Sequence, residues 1–169
     1  MLNIVLYHPE IPQNTGNIMR TCAGTNTKLH LIKPLGFDLS EKAIRRSGAN
    51  YVNETDFTIY ENFEDFKNKN TGTYYISTRY GTKPPTAFNF SNEDEEIYII
   101  FGSESSGIPK EILRDYRETC FRLPMNDKIR ALNLSNCAAI MIYEALRQQD
   151  YPNLLQKEPF KGENYIEQD

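Results

Sequence analysis

Residues 97–101 form a continuous apolar run, Ile-Tyr-Ile-Ile-Phe, between two glutamates and a glycine. The run is too short for a buried helix, so it predicts a strand in the core of a sheet. The loop that follows, residues 102–109, is rich in glycine and serine and ends in proline. A second strand over residues 121–125 leads into a polar loop and a helix with Ser135 or Asn136 as its N-cap. Open α/β sheets bind ligands at the carboxyl ends of their strands, so these two loops predict a site.

The rest of the chain alternates between short apolar runs and helical patterns. Strands are predicted at residues 3–7, 29–32, 57–60 and 73–78 and at Val52, and helices at residues 17–24, 41–47, 61–68 and 109–116. Pro9 and Pro12 predict that the first helix begins only after them. Strands that alternate with helices indicate an α/β fold with a mainly parallel sheet and helices on both faces.

Composition limits the classes of protein to consider. A length of 169 residues fits one domain with a real core, and the polar stretch from Tyr151 predicts an irregular tail. A net charge of −4 argues against wholesale electrostatic binding to nucleic acid, so an RNA contact requires a local basic patch. The three cysteines form no Cys-x-x-Cys pair, which favours a reducing compartment and gives no metal site. No signal peptide or membrane span is predicted, and we expect a soluble cytoplasmic protein.

The loop after residue 101 does not match three well-known functional motifs. Gly102 and Gly107 have P-loop spacing, but isoleucine and proline follow where that loop needs lysine and a hydroxyl residue. No strand is followed by G-x-G-x-x-G, the dinucleotide fingerprint. A serine-hydrolase elbow at Ser105 lacks its first glycine, and both histidines precede it, against the order of that fold. The loops instead offer main-chain groups to a neutral or zwitterionic ligand, with Glu104 available for a hydroxyl or an amine.

Arg20 lies near the start of a predicted helix, with Asn14 and Asn17 close to it in the sequence. Amide groups beside a guanidinium suit a site that holds a phosphate or polarises a hydroxyl. The alternative is equally open from the pattern: the asparagines cap the helix, and Arg20 forms a surface ion pair. A basic helix face is likewise either a solvated surface or an RNA contact. It consists of Lys42, Arg45 and Arg46.

Taken together, these segments resemble the SPOUT superfamily of RNA methyltransferases, and specifically its SpoU/TrmH branch. The three motifs of that branch occur in order, at residues 14–20 (NTGNIMR), 101–109 (FGSESSGIP) and 123–136 (LPMNDKIRALNLSN). Each alone is a weak signal, but three ordered motifs at the ends of predicted elements are specific. The resemblance covers residues 1–152, so we expect one methyltransferase domain there and a polar tail over residues 153–169.

Within that branch, residues 3–7, 9–12, 31–37, 45–48 and 143–148 resemble the small subgroup that acts on the wobble nucleotide of tRNA. The resemblance implies S-adenosylmethionine as cofactor and methyl transfer to the ribose 2′-hydroxyl of cytidine or modified uridine 34 in the anticodon stem-loop. It also implies a C-terminal trefoil knot, which periodicity does not show, and a homodimer whose RNA site uses residues from both subunits. It implies no metal ion and no membrane.

The resemblance also assigns roles to particular residues. Those expected to bind the cofactor are Ser77, Thr78, Gly102, Glu104, Gly107, Leu123, Met125, Ala131, Leu132 and Asn133. Those expected to take part in catalysis are Arg20, Asn14, Asn133 and Ser135. Those expected to bind RNA are Arg20, Lys42, Arg45, Arg46, Arg79, Arg130 and Tyr143. Ala131 departs from the serine common in the family, which lowers cofactor affinity if the pocket uses that hydroxyl.

The expected role of Arg20 follows from its chemistry. A guanidinium stays protonated in proteins, so we expect Arg20 to donate hydrogen bonds to phosphate and to developing alkoxide charge rather than to act as a base. Two other interpretations stay open. One is an enzyme of the same branch that modifies another tRNA site or ribosomal RNA. The other is a non-catalytic RNA-binding protein that binds the cofactor.

Overall fold

A computed structural model of the chain describes residues 1–39, 54–162 and 164–167. Its centre is one six-stranded sheet in which every described pair of neighbouring strands is parallel. The strands are β1 (Leu2–Tyr7), β2 (Lys28–Ile32), β3 (Phe57–Tyr60), β4 (Thr73–Ser77), β5 (Ile97–Phe101) and β6 (Cys120–Phe121). Their spatial order is β3-β2-β1-β5-β4-β6. The predicted α/β fold with a parallel sheet is confirmed.

The helices of the described ranges cover both faces of this sheet. They are α1 (Pro12–Thr25), α2 (Phe63–Lys69), α3 (Lys110–Asp115) and α4 (Leu134–Gln148). On β1, Leu2, Ile4 and Leu6 join the core that contains residues of α1 and α4, whereas Val5 and Tyr7 join the core with α2 and α3. This is the two-residue alternation of a strand. Because strands such as β1 and β5 are buried on both faces, their sequences read as continuous apolar runs.

Parallel pairing brings the carboxyl ends of all strands to one edge of the sheet. The strand order reverses between β1 and β5, which are neighbours with Leu6 opposite Phe101. On one side of this pair lie β2 and β3, and on the other lie β4 and β6. Open α/β sheets bind ligands at this edge, outside the carboxyl ends of the strands beside such a switch point. The fold therefore places the loops after β1 and β5 next to each other.

Helix α1 begins at Pro12, earlier than the predicted start at residue 17. The prediction was wrong because proline is well suited to the first helical turn: its missing N–H has no partner to lose there, and its fixed φ is already helical. As a result, Asn14 and Gly16 belong to the buried side of a helix rather than to a loop.

The ends of β6 and α4 also differ from the predictions. The strand predicted over residues 121–125 is reduced to Cys120–Phe121, because the Arg122 N–H leaves the ladder and donates to the Lys83 carbonyl at 2.9 Å. Helix α4 begins at Leu134 with Asn133 as its N-cap, which is two residues before the predicted cap Ser135 and three before the alternative, Asn136. The remaining predicted strands and helices that fall on described residues agree with the structure within about two residues.

Several predictions fall outside the described residues: the helix at residues 41–47 with Lys42, Arg45 and Arg46, and the strand signal at Val52. Where the chain is described, no helix combines the length and apolar character needed to cross a bilayer. Within the same ranges, no three side chains of histidine, cysteine, aspartate or glutamate come together as potential metal ligands. After α4 the chain is irregular to residue 162, although Leu154 still packs on the core, and a 3₁₀ turn spans Tyr165–Glu167.

A polar network is buried in the core on the α2 face of the sheet. His30 Nε2 lies 3.0 Å from Asn3 Oδ1, and His30 Nδ1 lies 2.9 Å from the Tyr60 hydroxyl. The Asn3 amide nitrogen donates to Glu96 and to main-chain carbonyls, so Asn3 Oδ1 is the acceptor and His30 donates from Nε2. Burial, with a smaller contribution from the charge of Lys28, lowers the pKa of His30 to about 4. His30 is therefore a neutral core residue.

We predict that the protein loses stability as the pH falls from 6.5 to about 4. In this window the unfolded chain protonates His30 while the folded chain keeps it neutral, which lowers the free energy of unfolding by on the order of 3 kcal/mol at the acid end. NMR titration of the His30 ring in a His8→Asn variant, which leaves one histidine signal, measures its pKa directly. A midpoint above pH 6 in the folded protein would contradict the prediction.

Candidate functional site

The loop after β5 closes on itself over residues 102–107. The Gly107 N–H donates to the Ser103 carbonyl at 2.9 Å, and the Ser103 N–H donates to the Gly107 carbonyl at 3.3 Å. Gly107 has a φ of +70°, in the left-handed region that favours glycine. A Cβ atom on Gly102 would lie 2.3 Å from the Gly107 carbonyl carbon. Both glycines are therefore needed for the shape of this loop.

The carboxylate of Glu104, in the middle of this loop, binds the N-terminus of α1. It accepts hydrogen bonds from the N–H groups of Glu10 at 2.9 Å and Ile11 at 3.1 Å, and from Asn14 Nδ2 at 3.1 Å. Helix α1 has no side-chain cap of its own and no acidic residue in its first turn. Glu104 therefore supplies, from a distant part of the chain, an acceptor for unpaired donors and a negative charge near the positive end of the helix dipole. These partners occupy the carboxylate that the sequence had suggested for a ligand hydroxyl or amine.

A second carboxylate makes the reverse contact between the same two loops. Glu10, just before α1, accepts hydrogen bonds from the Ser105 N–H at 3.0 Å and from the Ser105 hydroxyl at 2.6 Å. Hydrogen bonds to an ionised acceptor are among the stronger ones in proteins. The loops after β1 and β5 thus hold each other through two carboxylates, one from each side.

Asn14 connects these loops to the third motif. Its Oδ1 accepts a hydrogen bond from Asn133 Nδ2 at 3.0 Å, while its own Nδ2 donates to Glu104. Asn133 Oδ1 in turn accepts from the Ser135 N–H at 2.9 Å, the Ser135 hydroxyl at 2.6 Å and the Asn136 N–H at 3.3 Å, which caps α4. A continuous chain of hydrogen bonds therefore runs from Glu104 through Asn14 and Asn133 to the start of α4.

These contacts frame a cleft of about 680 Å³ at the carboxyl edge of the sheet, which we call the carboxyl-edge cleft. Every residue that the sequence assigned to the cofactor lines it, and so do Asn14, Arg79 and Arg130. No role at this cleft was predicted for the other lining residues, which are Ile11, Tyr80, Phe101, Ser103, Ser105, Ser106, Ile108, Arg122, Leu134 and Cys137. Its volume lies within the range of small-molecule sites.

Three of the assigned residues do not belong to the lining that the described chain forms. Arg20 is exposed on α1, the helix that also carries Asn14. Ser135 lies in the first turn of α4 and contacts the cleft through Asn133. Tyr143, 51% exposed on α4, lines a second cavity of about 640 Å³ formed with residues after that helix. The fold thus gathers Asn14, Asn133 and Ser135 and leaves Arg20 on the outer surface of α1.

The residues of the carboxyl-edge cleft suit the non-covalent binding of a small molecule better than catalysis by a protein nucleophile. Ile108, Leu123 and Met125 give it apolar walls, and the loop at residues 102–107 adds main-chain donors and acceptors. Cys137 also lines it, but burial raises the pKa of this thiol, so it stays protonated near neutral pH and is a poor nucleophile. A ligand with a flat apolar part and several hydrogen-bonding groups fits these walls.

Two residues important to this geometry were missed from the sequence. Tyr80 follows β4, and in a parallel sheet the loop after each strand lies at the same edge. The predicted topology could therefore have placed Tyr80 near the cleft. Glu10 gave no such signal, because its partner Ser105 lies 95 positions away in the chain.

A parallel sheet with a ligand cleft at its switch point defines an α/β protein that binds a small organic molecule between loops of the carboxyl edge. Residues 1–143 match the family described as the SpoU rRNA methylase family. The chain belongs to that family, as its motifs indicated.

Individual relatives match along nearly their whole length. A protein from Geobacillus stearothermophilus is 49% identical over 154 residues, which cover 90% of this chain and 98% of the relative. A protein from Methylovorus glucosotrophus named tRNA (cytidine(34)-2′-O)-methyltransferase is 43% identical over 153 residues, 89% of this chain and 97% of the relative. A solved structure described as giving insights into the 2-OH methylation of C/U34 on tRNA has a TM-score of 0.80 at 36% identity, covering 89% of this chain and 97% of its own.

We predict that Asn133→Ala lowers the free energy of unfolding by about 1–2 kcal/mol, because α4 loses its N-cap. Asn133→Asp is the matched control: its carboxylate keeps the capping acceptor but has no N–H to donate to Asn14. Urea unfolding of both variants separates the two contacts, and we expect the aspartate variant to retain most of the stability. An equal loss in both variants would assign the effect to the contact with Asn14 instead.

Proposed function

We propose that this chain is an S-adenosylmethionine-dependent methyltransferase acting on the ribose 2′-hydroxyl of nucleotide 34, cytidine or modified uridine, in the anticodon loop of tRNA. The observation that carries the proposal is the meeting of three distant motifs at one cleft, through Glu104, Asn14 and Asn133. The substrate comes from the names of relatives that cover 89% of this chain and 97% of their own. We place the reaction in the cytoplasm, with the tRNA pool.

The carboxyl-edge cleft fits the cofactor. Its volume is typical of small-molecule sites, and its apolar side chains and main-chain groups suit an adenine ring and its polar edge. Gly102 adds to this fit, since any side chain there would disrupt the loop that shapes the cleft. Bound in this cleft, S-adenosylmethionine supplies an already activated methyl group. The residues proposed to hold it are Ser77, Thr78, Gly102, Glu104, Gly107, Leu123, Met125, Ala131, Leu132 and Asn133.

Among them, Glu104 and Asn133 act by shaping the cleft, because their side chains are already hydrogen-bonded to α1 and α4. Ala131 lies in the lining without a hydroxyl, so the binding proposed there uses main-chain atoms.

The remaining task for the protein is to orient a sugar hydroxyl of high pKa and to stabilise the alkoxide that develops on it. Arg20 is the group proposed for this, as a permanently charged donor to the hydroxyl and the adjacent phosphate. Asn14, Asn133 and Ser135 are proposed to orient the loops that hold the cofactor and the ribose in position for the transfer. The requirement for a 2′-hydroxyl restricts the substrate to RNA.

The RNA contact is proposed to rest on a local basic patch, which an overall charge of −4 makes necessary. Arg79, Arg122 and Arg130 line the carboxyl-edge cleft and supply positive charge at its mouth. Tyr143 and the basic residues Lys42, Arg45 and Arg46 complete the proposed RNA surface.

A homodimer explains the position of Arg20 outside the lining of its own cleft. In this proposal Arg20 of one copy reaches the cleft of a second copy, and the exposed side of α4 that carries Ile140 forms part of the contact. The test mixes two inactive variants, Arg20→Ala and Ala131→Trp, the latter filling an exposed position of the cleft. Mixed dimers are expected to recover roughly half the activity per dimer, since one site then has both an open cleft and Arg20. Absence of recovery would reject the shared site.

Two structural features, a knot and a domain boundary, belong to the same proposal. One is the C-terminal trefoil knot that the resemblance implies; in that part of the chain the segment after β4 contacts the residue after β6 and the end of α4. The Arg122 N–H donates to the Lys83 carbonyl at 2.9 Å, the Phe90 N–H donates to Gln148 Oε1 at 2.7 Å, and Gln149 Nε2 donates to the Phe90 carbonyl at 2.7 Å. The other is a methyltransferase domain over residues 1–152, followed by a tail over residues 153–169.

We predict that Arg20→Ala lowers methyl transfer by about two orders of magnitude or more, as expected for loss of a transition-state donor, and leaves cofactor affinity unchanged. Arg20→Lys keeps the charge but not the fork of donors, and we expect intermediate activity. The measurements are transfer of a radiolabelled methyl group to tRNA and calorimetry with S-adenosylmethionine. Unchanged turnover in Arg20→Ala would remove Arg20 from the mechanism.

The function itself is tested by nucleoside mass spectrometry. We expect tRNA from a strain lacking this gene to miss one ribose methylation, at nucleotide 34, and the purified protein to restore it in vitro. Methylation mapped to another tRNA position or to ribosomal RNA would assign a different target. Cofactor binding without transfer to any RNA would favour a non-catalytic RNA-binding protein.

A further inference from the structure

Tyr80 presents an aromatic ring to solvent at the edge of the carboxyl-edge cleft. The residue is 69% exposed and belongs to the cleft lining. The guanidinium carbon of Arg79, its neighbour, lies 5.2 Å from the centre of the ring, within the range of a cation–π contact. A tyrosine and an arginine are thus stacked at the mouth of the cleft proposed to hold the cofactor.

The backbone beneath Tyr80 is held in place. The Thr78 N–H donates to the Phe121 carbonyl at 2.9 Å, the Gly81 N–H donates to the Thr78 carbonyl at 3.2 Å, and the Tyr80 N–H lies 3.3 Å from the Thr78 hydroxyl oxygen. A Cβ atom on Gly81 would lie 2.4 Å from the Phe121 carbonyl carbon, so this turn is packed directly against the chain at the end of β6. The ring is therefore displayed from a fixed point of the cleft rather than from a loose loop.

A single exposed aromatic residue is common on protein surfaces and alone indicates nothing. Tyr80 differs because exposure, an arginine partner and a position in the cleft lining occur together. Its exposure also separates it from a residue that encloses the cofactor, since small-molecule sites bury most of their ligand. The face of this ring opposite Arg79 is available to a ligand that reaches the cleft from solvent.

We propose that Tyr80, with Arg79, forms a stacking platform for an unpaired nucleobase of the RNA, next to the nucleotide whose ribose enters the cleft. Unpaired bases are recognised in proteins by stacking on aromatic side chains and on arginine planes. The base beside a target ribose is carried to the mouth of the cleft by its own backbone, and the Arg79 charge lies beside the phosphates. This inference rests on the proposed function, because it takes RNA as the substrate.

The test uses an anticodon stem-loop RNA with 2-aminopurine on either side of the target nucleotide. Stacking of this base on Tyr80 is expected to change its fluorescence when the protein binds, and the change is expected to disappear in Tyr80→Ala and persist in Tyr80→Phe. We also expect Tyr80→Ala to raise the KM for RNA about ten-fold, which is typical of one lost base–aromatic contact, with the calorimetric Kd for S-adenosylmethionine unchanged.

Tyr165 offers a matched control within the same chain. It is 53% exposed and has a lysine, Lys161, with its Nζ 4.6 Å from the ring centre, but it lies in the 3₁₀ turn after α4 and outside the cleft lining. Tyr165→Ala is expected to leave the fluorescence change and the KM as in the unaltered protein.

The outcomes separate this inference from the proposed function. Tyr80→Ala with unaltered fluorescence and KM for RNA overturns the platform even if the unaltered protein methylates tRNA. A weaker Kd for S-adenosylmethionine in Tyr80→Ala overturns it in favour of a contact with the cofactor. If the unaltered protein transfers no methyl group, the proposed function fails, and the fluorescence change still decides whether Tyr80 stacks on RNA.

Discussion

The arrangement of the site depends on one carboxylate. Glu104 sits in a loop closed by two glycines and accepts hydrogen bonds from the start of a helix more than 90 positions earlier in the chain. Helix α1 provides no side chain to cap itself, so this acceptor both completes the helix and fixes its position against the loop. The amide of Asn14 then extends the same contact to Asn133 and to the start of α4. Three segments that are remote in sequence are thereby held at fixed distances.

The sheet determines why this contact is possible. In a fully parallel arrangement each loop that follows a strand reaches the same edge, and because β1 and β5 are neighbours, the loops after them lie close enough to exchange hydrogen bonds. Burial of the strands on both faces makes that edge rigid. The shape of the cleft comes from glycine geometry and from the hydrogen bonds of Glu104, Asn14 and Asn133, and arginine side chains also line it.

Much of the fold could be predicted because the strands are short apolar runs, and β5 has the predicted bounds. The start of α1 was wrong because Pro9 and Pro12 were treated alike, although only Pro12 occupies a helical first turn. Part of the lining of the cleft, the residues assigned to the cofactor, followed from the family resemblance that the motifs carry. The partners of Glu104 and Glu10 did not, since a hydrogen bond between residues far apart in the chain has no local signature. Arg20 shows the same limit: helical spacing predicts that it lies off the apolar side of α1, but whether it reaches the cleft depends on how α1 packs.

The hydrogen bond between Asn14 and Asn133 spans 119 positions, and this separation bears on how the protein is made. During synthesis β1 and α1 leave the ribosome long before Asn133 and α4, and early contacts of this helix with the sheet form without its final partner. Closing so long a loop is entropically costly and comes late in folding. A nascent or truncated chain that ends before α4 therefore lacks part of the lining of the carboxyl-edge cleft. Ligand binding in that cleft requires synthesis of the chain through α4.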